Sequence, residues 1–179
     1  MRIISGQFKG RKLLPVNLKN TRPTTDFARE GLFNILRSRL DFDDMDILDL
    51  YSGTGAIALE FISRGCQSAV AVDNQVQSVK YIAKTKDLWG IENLEIIKSD
   101  VLKYLKKCHS KFDLIFADPP YESKDYSNII DFVFEKELLK EDGFLVVEHD
   151  KRTKFESSVD FEFQRSFGNV NFSIFRQSN

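Results

Sequence analysis

Five short apolar runs recur along the chain: DILDLYS (46–52), SAVAVD (68–73), LEIIKSD (94–100), FDLIFAD (112–118) and GFLVVEH (143–149). Each is too short for a helix of ordinary length and rich in β-branched or aromatic residues, so each reads as a buried strand. Between them lie AIALEFISRG (56–65), VQSVKYIAKTKDLWG (76–90), VLKYLKK (101–107) and YSNIIDFVFEKELL (126–139), whose apolar residues recur at helical spacing. Strands that alternate with helices form a parallel sheet covered on both faces, because each crossover has to return the chain to the same edge. The end of the chain departs from this rhythm. DFEFQRSF (160–167) and VNFSIFRQ (170–177) flank Gly168-Asn169, a turn that predicts an antiparallel hairpin completing a mostly parallel sheet of seven strands.

The first 40 residues have a different character. IISGQFKGRKLLPV alternates in short pieces broken by Gly6, Gly10 and Pro15, which predicts a small hairpin or extended arm. RPTTDFAREGLFNILRSRL then opens a helix, with Thr25 placed as N-cap, Asp26 beside the positive end of the dipole, and Phe33, Leu36 and Leu40 on one face. This stretch carries nine bases against two acids, a balance of +7 in a chain of net charge −1, so the rest carries −8. Such segregation predicts a boundary near residue 41, with residues 1–40 a basic extension and residues 41–179 the main domain. It also suits a polyanion, because each neutralised phosphate releases counterions. Arg2, Lys9, Arg11, Lys12, Arg22 and Arg29 are the candidate contacts, and a solvated charged surface would look the same from charge alone.

Little else competes. A chain of 179 residues with 42% apolar content builds one substantial core. The N-terminus MRIISGQFKGRKLL lacks a signal peptide's apolar run and nothing reaches the length of a membrane span, so a cytoplasmic protein is expected. Cys66 and Cys108, with His109 and His149 scattered, match no disulfide framework and no zinc spacing, and no metal site is expected.

In parallel sheets ligands bind beyond the carboxyl ends of the strands. LDLYSGTGAIALE places Gly53 and Gly55 in a turn that opens a helix, where free N–H groups face a ligand, and Asp73 ends the next strand. Gly53-x-Gly55-x-x-Ala58 with Asp73 also satisfies a dinucleotide fingerprint, so a dehydrogenase fits the glycines equally well. Asp49 argues against one: an acid just before the turn suits a cationic amine, such as the methionine end of S-adenosylmethionine, and repels a pyrophosphate. Ser99-Asp100, ending the third strand, is placed to meet an adenine amino group. Each acid taken singly could equally be a helix cap.

DPPY, residues 118–121, ends the fourth strand. Two prolines stiffen the loop and donate no N–H, so the Asp118 and Pro119 carbonyls can act as acceptors while Tyr121 offers a stacking face. Acceptors beside a ring suit the exocyclic amine of a planar base, whose delocalised lone pair becomes nucleophilic when its protons are drawn toward Asp118.

DPPY resembles the fourth motif of Rossmann-like amino methyltransferases. Together with GQFKGRKL, RPTTDFAREGLFNIL and LDLYSGTGAIALEFISRG it is similar to the RsmD-type family of ribosomal RNA guanine-N2 methyltransferases, over about Ile3 to Glu148. The resemblance implies a Rossmann-like methyltransferase fold and methyl transfer from S-adenosylmethionine to N2 of a guanine in small-subunit rRNA, within an assembling or assembled particle. It implies Asp49, Ser52, Gly53, Gly55, Asp73 and Asp100 as cofactor contacts, and Asp118, Pro119, Pro120 and Tyr121 as the target-base site. Arg22, Thr24 and Thr25 would meet either the methionine end or the RNA. Amino methyltransferases of DNA adenine or of a protein glutamine share DPPY-like motifs. They fit less well, because 179 residues leave little room for a DNA-recognition insertion and a glutamine enzyme needs no basic arm.

Overall fold

In chain order the elements are α1 (Asp26–Arg37), β1 (Asp46–Leu50), α2 (Ala56–Ser63), β2 (Ser68–Asp73), α3 (Val76–Trp89), β3 (Leu94–Lys98), α4 (Val101–Lys107), β4 (Phe112–Ala117), α5 (Tyr126–Glu135), β5 (Leu139–His149), β6 (Phe161–Phe167) and β7 (Val170–Arg176). They come from a computed structural model that describes residues 1–13, 25–120, 123, 125–155 and 160–176. The seven strands form one sheet in the order β3-β2-β1-β4-β5-β7-β6. β1 to β5 pair in parallel, and β7 runs antiparallel between β5 and β6. The expected mostly parallel sheet with a C-terminal antiparallel hairpin is therefore the one observed.

Successive side chains of a strand point to opposite faces, and each face has its own core. Ile47, Ala71, Phe116, Val146, Phe172 and Ile174 pack with α1, α2 and α3 on one side. Leu48, Val72, Ile115, Val147 and Phe175 pack with α4 and α5 on the other. Because β1 pairs with both β2 and β4, the chain reverses its winding direction between β1 and β4. That is where an open α/β sheet leaves a crevice at its carboxyl edge.

Two boundaries differ from expectation. The helix expected over 126–139 ends at Glu135, and Leu139 already belongs to β5, paired with Phe112. Glu137, at φ 51°, turns the chain out of the helix in between, so the apolar pair at 138 and 139 serves the sheet.

The basic arm is the second difference: it is not set apart from the main domain. Ile3, Phe8 and Leu13 lie in the same core as α1, α2 and the sheet. Arg2 and Lys12 form an antiparallel bridge that closes the arm into a loop. The fully buried Glu60 of α2 anchors this loop. Its carboxylate accepts the backbone N–H of Ile4 at 2.8 Å and of Ser5 at 3.0 Å, and pairs with Arg64 at 2.8 Å. Ser63 Oγ donates to the Ser5 carbonyl at 2.5 Å and accepts from Phe8 N–H at 3.0 Å. Four buried or partly buried polar contacts between residues some 55 apart in sequence make one packing unit, so the change of charge near residue 41 does not mark a boundary in packing.

Gly6 lets the arm come this close. Its φ is +82°, and an added Cβ would sit 1.7 Å from the Ser63 carbonyl oxygen. Gly10 has the same φ and open space around its Cβ position. Gly10→Ala is therefore expected to cost only the left-handed strain, about 1 kcal/mol. Gly6→Ala should cost at least twice that, about 3 kcal/mol, because backbone has to move. Urea unfolding of the two variants measures the difference. Equal losses would show that the arm is not seated on α2.

Candidate functional site at the carboxyl edge of the sheet

The glycine turn after β1 is held by acids rather than by its own backbone alone. Gly53 and Gly55 have φ of 53° and 71°, the left-handed region, and Tyr51 joins them at 58°. Asp73, at the end of β2, accepts the Gly53 N–H on one oxygen and the Gln75 N–H on the other, both at 2.8 Å. Asp49 accepts the Ala58 N–H at 3.1 Å, in the first turn of α2. These two carboxylates satisfy backbone donors that a helix start and a tight turn leave open. Each oxygen keeps a further acceptor position. Ser52 Oγ, in the same turn, is buried and has no hydrogen-bond partner among the described residues. An orphaned hydroxyl in a glycine turn at a helix N-terminus fits a polar ligand seated there.

Four acids share one face at this edge. Asp49 follows Ile47, Asp73 follows Ala71, Asp118 follows Phe116 and Glu148 follows Val146, each two residues on and so on the same side of the sheet. The register pairs Ala117 with Val147, which brings Asp118 level with Glu148. Glu148 was not among the residues expected from sequence: it shares the period-2 phase of Phe144 and Val146, but only the pairing of β5 with β4 sets that phase on the side of Asp118. It is 1% exposed.

Crowding acids out of water raises their proton affinity. Burial, opposed by the Ala58 N–H and helped by the charge of Asp73, pushes the Asp49 pKa up to about 7. Asp118 is held well above the carboxylate range, first by burial and then by the charges of Glu148 and Asp49. Its backbone N–H points to the Leu50 carbonyl at 3.4 Å, tying the DPPY loop to the end of β1. Pro119 is buried, Pro120 is exposed, and the Pro120 carbonyl accepts the Ser123 N–H at 2.7 Å.

The remaining candidates divide. Asp100 is exposed at the same edge and caps α4, accepting the Lys103 N–H at 2.9 Å. Thr25 caps α1 through Oγ1, which accepts the Ala28 N–H at 3.1 Å. Arg2, Lys9, Arg11 and Lys12 are all exposed, and the Arg11 guanidinium lies 4.8 Å from the Phe8 ring centre. Arg29 has to be corrected. Expected as a phosphate contact, it is 0% exposed, donating to the Arg2 carbonyl and to Asp26 at 2.9 Å. Burial lowers its pKa, and it clamps the arm to α1 where no phosphate reaches it. Arg22, Thr24 and Tyr121 lie outside the described residues.

Asp49 makes stability depend on pH in a stated direction. Its folded pKa of about 7 exceeds the ordinary 3.8, so its contribution is fully present below the lower value and lost as pH rises through the upper one. Asp49→Asn keeps an acceptor for Ala58 and removes the charge. The variant should unfold at a higher temperature than the parent at about pH 8, and at nearly the same temperature at about pH 4. Thermal unfolding across that range checks it; a constant offset would mean that Asp49 does not titrate in the folded chain.

Comparison with known proteins follows the same lines. The family described as Conserved hypothetical protein 95 matches residues 1–176. The Bacillus subtilis (strain 168) protein YlbH is 36% identical over 165 residues, 89% of this chain and 88% of that one. Ribosomal RNA small subunit methyltransferase D of Buchnera aphidicola subsp. Acyrthosiphon pisum is 34% identical over 151 residues, covering 84% of this chain and 78% of that one. The solved structure of Escherichia coli yhhF superposes with a TM-score of 0.85 at 26% identity, covering 99% of this chain and 97% of that one.

Proposed function

We propose that this chain, which belongs to the Conserved hypothetical protein 95 family and is an rRNA methyltransferase of the RsmD type, methylates the exocyclic N2 of a guanine in small-subunit ribosomal RNA. The observation that carries the reading is the position of Asp118. It directly follows β4, on the same face as Asp49 and Asp73, across the β1–β4 crevice from the glycine turn. A donor seated on that turn and an amine held by Asp118 would meet there.

S-adenosylmethionine, when bound, supplies a methyl group on a sulfonium. Asp73 offers its remaining acceptor positions to ribose hydroxyls, Ser52 and the first N–H groups of α2 face the methionine end, and Asp100 faces the adenine edge. Asp49 lies beneath the turn, where an approaching cation favours its ionised form. An NAD pyrophosphate at the same place would meet an acid instead. In a solved structure of Thermus thermophilus, a 16S rRNA N2 methyltransferase in complex with AdoMet and guanosine, the same fold recurs with a TM-score of 0.70 at 21% identity, over 87% of this chain and 44% of that one.

Asp118 then holds the amine of the target base. Burial first, and then the charges of Glu148 and Asp49, favour its neutral form, and a neutral carboxyl presents one carbonyl acceptor in a fixed direction, as an amide does. The guanine amine needs such an acceptor before reaction, because drawing its proton away from the ring favours the pyramidal nitrogen that attacks a methyl group. As the nitrogen–carbon bond formed, the carbon–sulfur bond of the sulfonium would break and its electron pair would stay on sulfur as a neutral thioether; the methylated amine would be cationic and acidic, and its extra proton would pass to water without a dedicated base.

This account separates two substitutions. Asp118→Asn keeps the acceptor oxygen and should retain detectable turnover. Asp118→Ala should lose about a hundredfold to a thousandfold in rate, the scale for a missing transition-state hydrogen-bond partner. Single-turnover methylation of small-subunit particles at saturating cofactor compares them, with cofactor affinity by calorimetry as the control. Equal and complete inactivity in both, with cofactor binding intact, would make Asp118 a proton acceptor and overturn the account.

A further inference from the structure

Four large apolar side chains are exposed among the described residues: Met1, Phe27, Val76 and Leu88. Three of them line the carboxyl edge. Val76 opens α3 just after Asp73. Met1 touches the glycine turn, its sulfur accepting from Thr54 Oγ1 at 3.9 Å. Phe27, in the first turn of α1, is the largest of the three and 69% exposed.

Phe27 is braced rather than loose. Its ring meets Phe167 edge to face, with centres 5.9 Å apart. Phe167 in turn lies against α1 at Gly31, where an added Cβ would fall 2.1 Å from its ring. The absence of a side chain at Gly31, one turn beyond Phe27, thus seats the β6–β7 hairpin on α1. β6 runs parallel to β4, since both neighbours of β7 oppose it, so Phe167 at the end of β6 belongs to the catalytic edge. From Asp118 to this point is three strand spacings, roughly 14 Å.

Charge around Phe27 indicates what it meets. Arg2, whose bridge partner is Lys12, approaches Asp26 to 3.9 Å, beside Phe27. Residues 1–13 hold the exposed bases Arg2, Lys9, Arg11 and Lys12 and no acid. On α1 itself Asp26 is engaged by Arg29 and Glu30 is exposed, so a phosphate belongs on the arm and a base on the ring. An exposed aromatic beside a basic track is how proteins hold single-stranded nucleic acid: cations follow the backbone while the ring stacks on a base.

We infer that Phe27, braced by Phe167, is a stacking platform for an unpaired nucleotide of the RNA substrate lying near the target guanine, with Arg2 and Lys12 on the adjoining phosphates. The inference rests on the rRNA reading above and assigns a contact to a residue outside both the DPPY loop and the glycine turn. Stacking without hydrogen-bond readout tolerates any base, so this platform orders the strand, while Asp118 takes the target.

The test compares the parent, Phe27→Ala and Phe27→Trp on deproteinised small-subunit rRNA and on intact small-subunit particles. Phe27→Ala should weaken binding to naked rRNA about 5-fold to 100-fold, the range for a lost base–aromatic stack. Phe27→Trp should restore it, and cofactor affinity should not move. The salt dependence separates the roles: its slope should be unchanged in Phe27→Ala and reduced by about 0.7 to 0.9 in Arg2→Ala. Parental binding by Phe27→Ala on both substrates would remove the platform and leave the methyltransferase reading standing. A loss on particles but not on naked rRNA would assign Phe27 to a ribosomal protein and refute the stacking role. If the parent methylates neither substrate, the rRNA reading itself fails.

Discussion

Two hydrogen bonds into buried carboxylates, Gly53 N–H to Asp73 and Ala58 N–H to Asp49, set the shape of the carboxyl edge of the sheet. A turn with three consecutive odd-numbered residues at positive φ, one of them the non-glycine Tyr51, does not hold itself. The acids supply the missing acceptors, and they can do so only because β1 and β2 pair in a register that sets Asp49 beside Ala71, with Asp73 two residues on along the same face. The same parity brings Asp118 and Glu148 into line, so one property of a strand, alternation, assembles four acids in a row. Burial first, and then the charge of neighbouring acids, raises the proton affinity of Asp49 and of Asp118.

Much of this was legible because strands and helices here differ in period. The seven strands, the C-terminal hairpin and the acids ending β2 and β4 follow from where apolar runs stop. The resemblance to RsmD-type methyltransferases, drawn from DPPY and the RPTTD stretch, agrees with a family match over residues 1–176. Other features were hidden for physical reasons. Arg29 is a base on a helix among other bases, and its burial comes with the docking of the arm, whose Arg2 carbonyl it meets. Glu148 sits in an apolar strand whose register against β4 cannot be known before the sheet is assembled. The end of α5 was unreadable because Leu138 and Leu139 continue a helical pattern while answering to the sheet.

The arm illustrates how charge and packing can disagree. Its bases suggested a separate extension, yet Ile3, Phe8 and Leu13 are spaced to enter the core, and Glu60 meets two of its backbone N–H groups. Anchoring fixes the exposed bases in space: Met1 abuts the glycine turn and Arg2 the start of α1. The described part of the arm and the edge where Asp118 stands thus belong to one packing unit.

We propose that this edge methylates a guanine amine of small-subunit rRNA. Mass mapping of modified nucleotides in small-subunit rRNA from a strain lacking the protein tests it most directly. One N2-methylguanosine should be lost in that strain and restored by the parental chain supplied in trans. An unchanged set of N2-methylguanosines in small-subunit rRNA, with the loss found instead in DNA, in a protein or in no molecule, would contradict it.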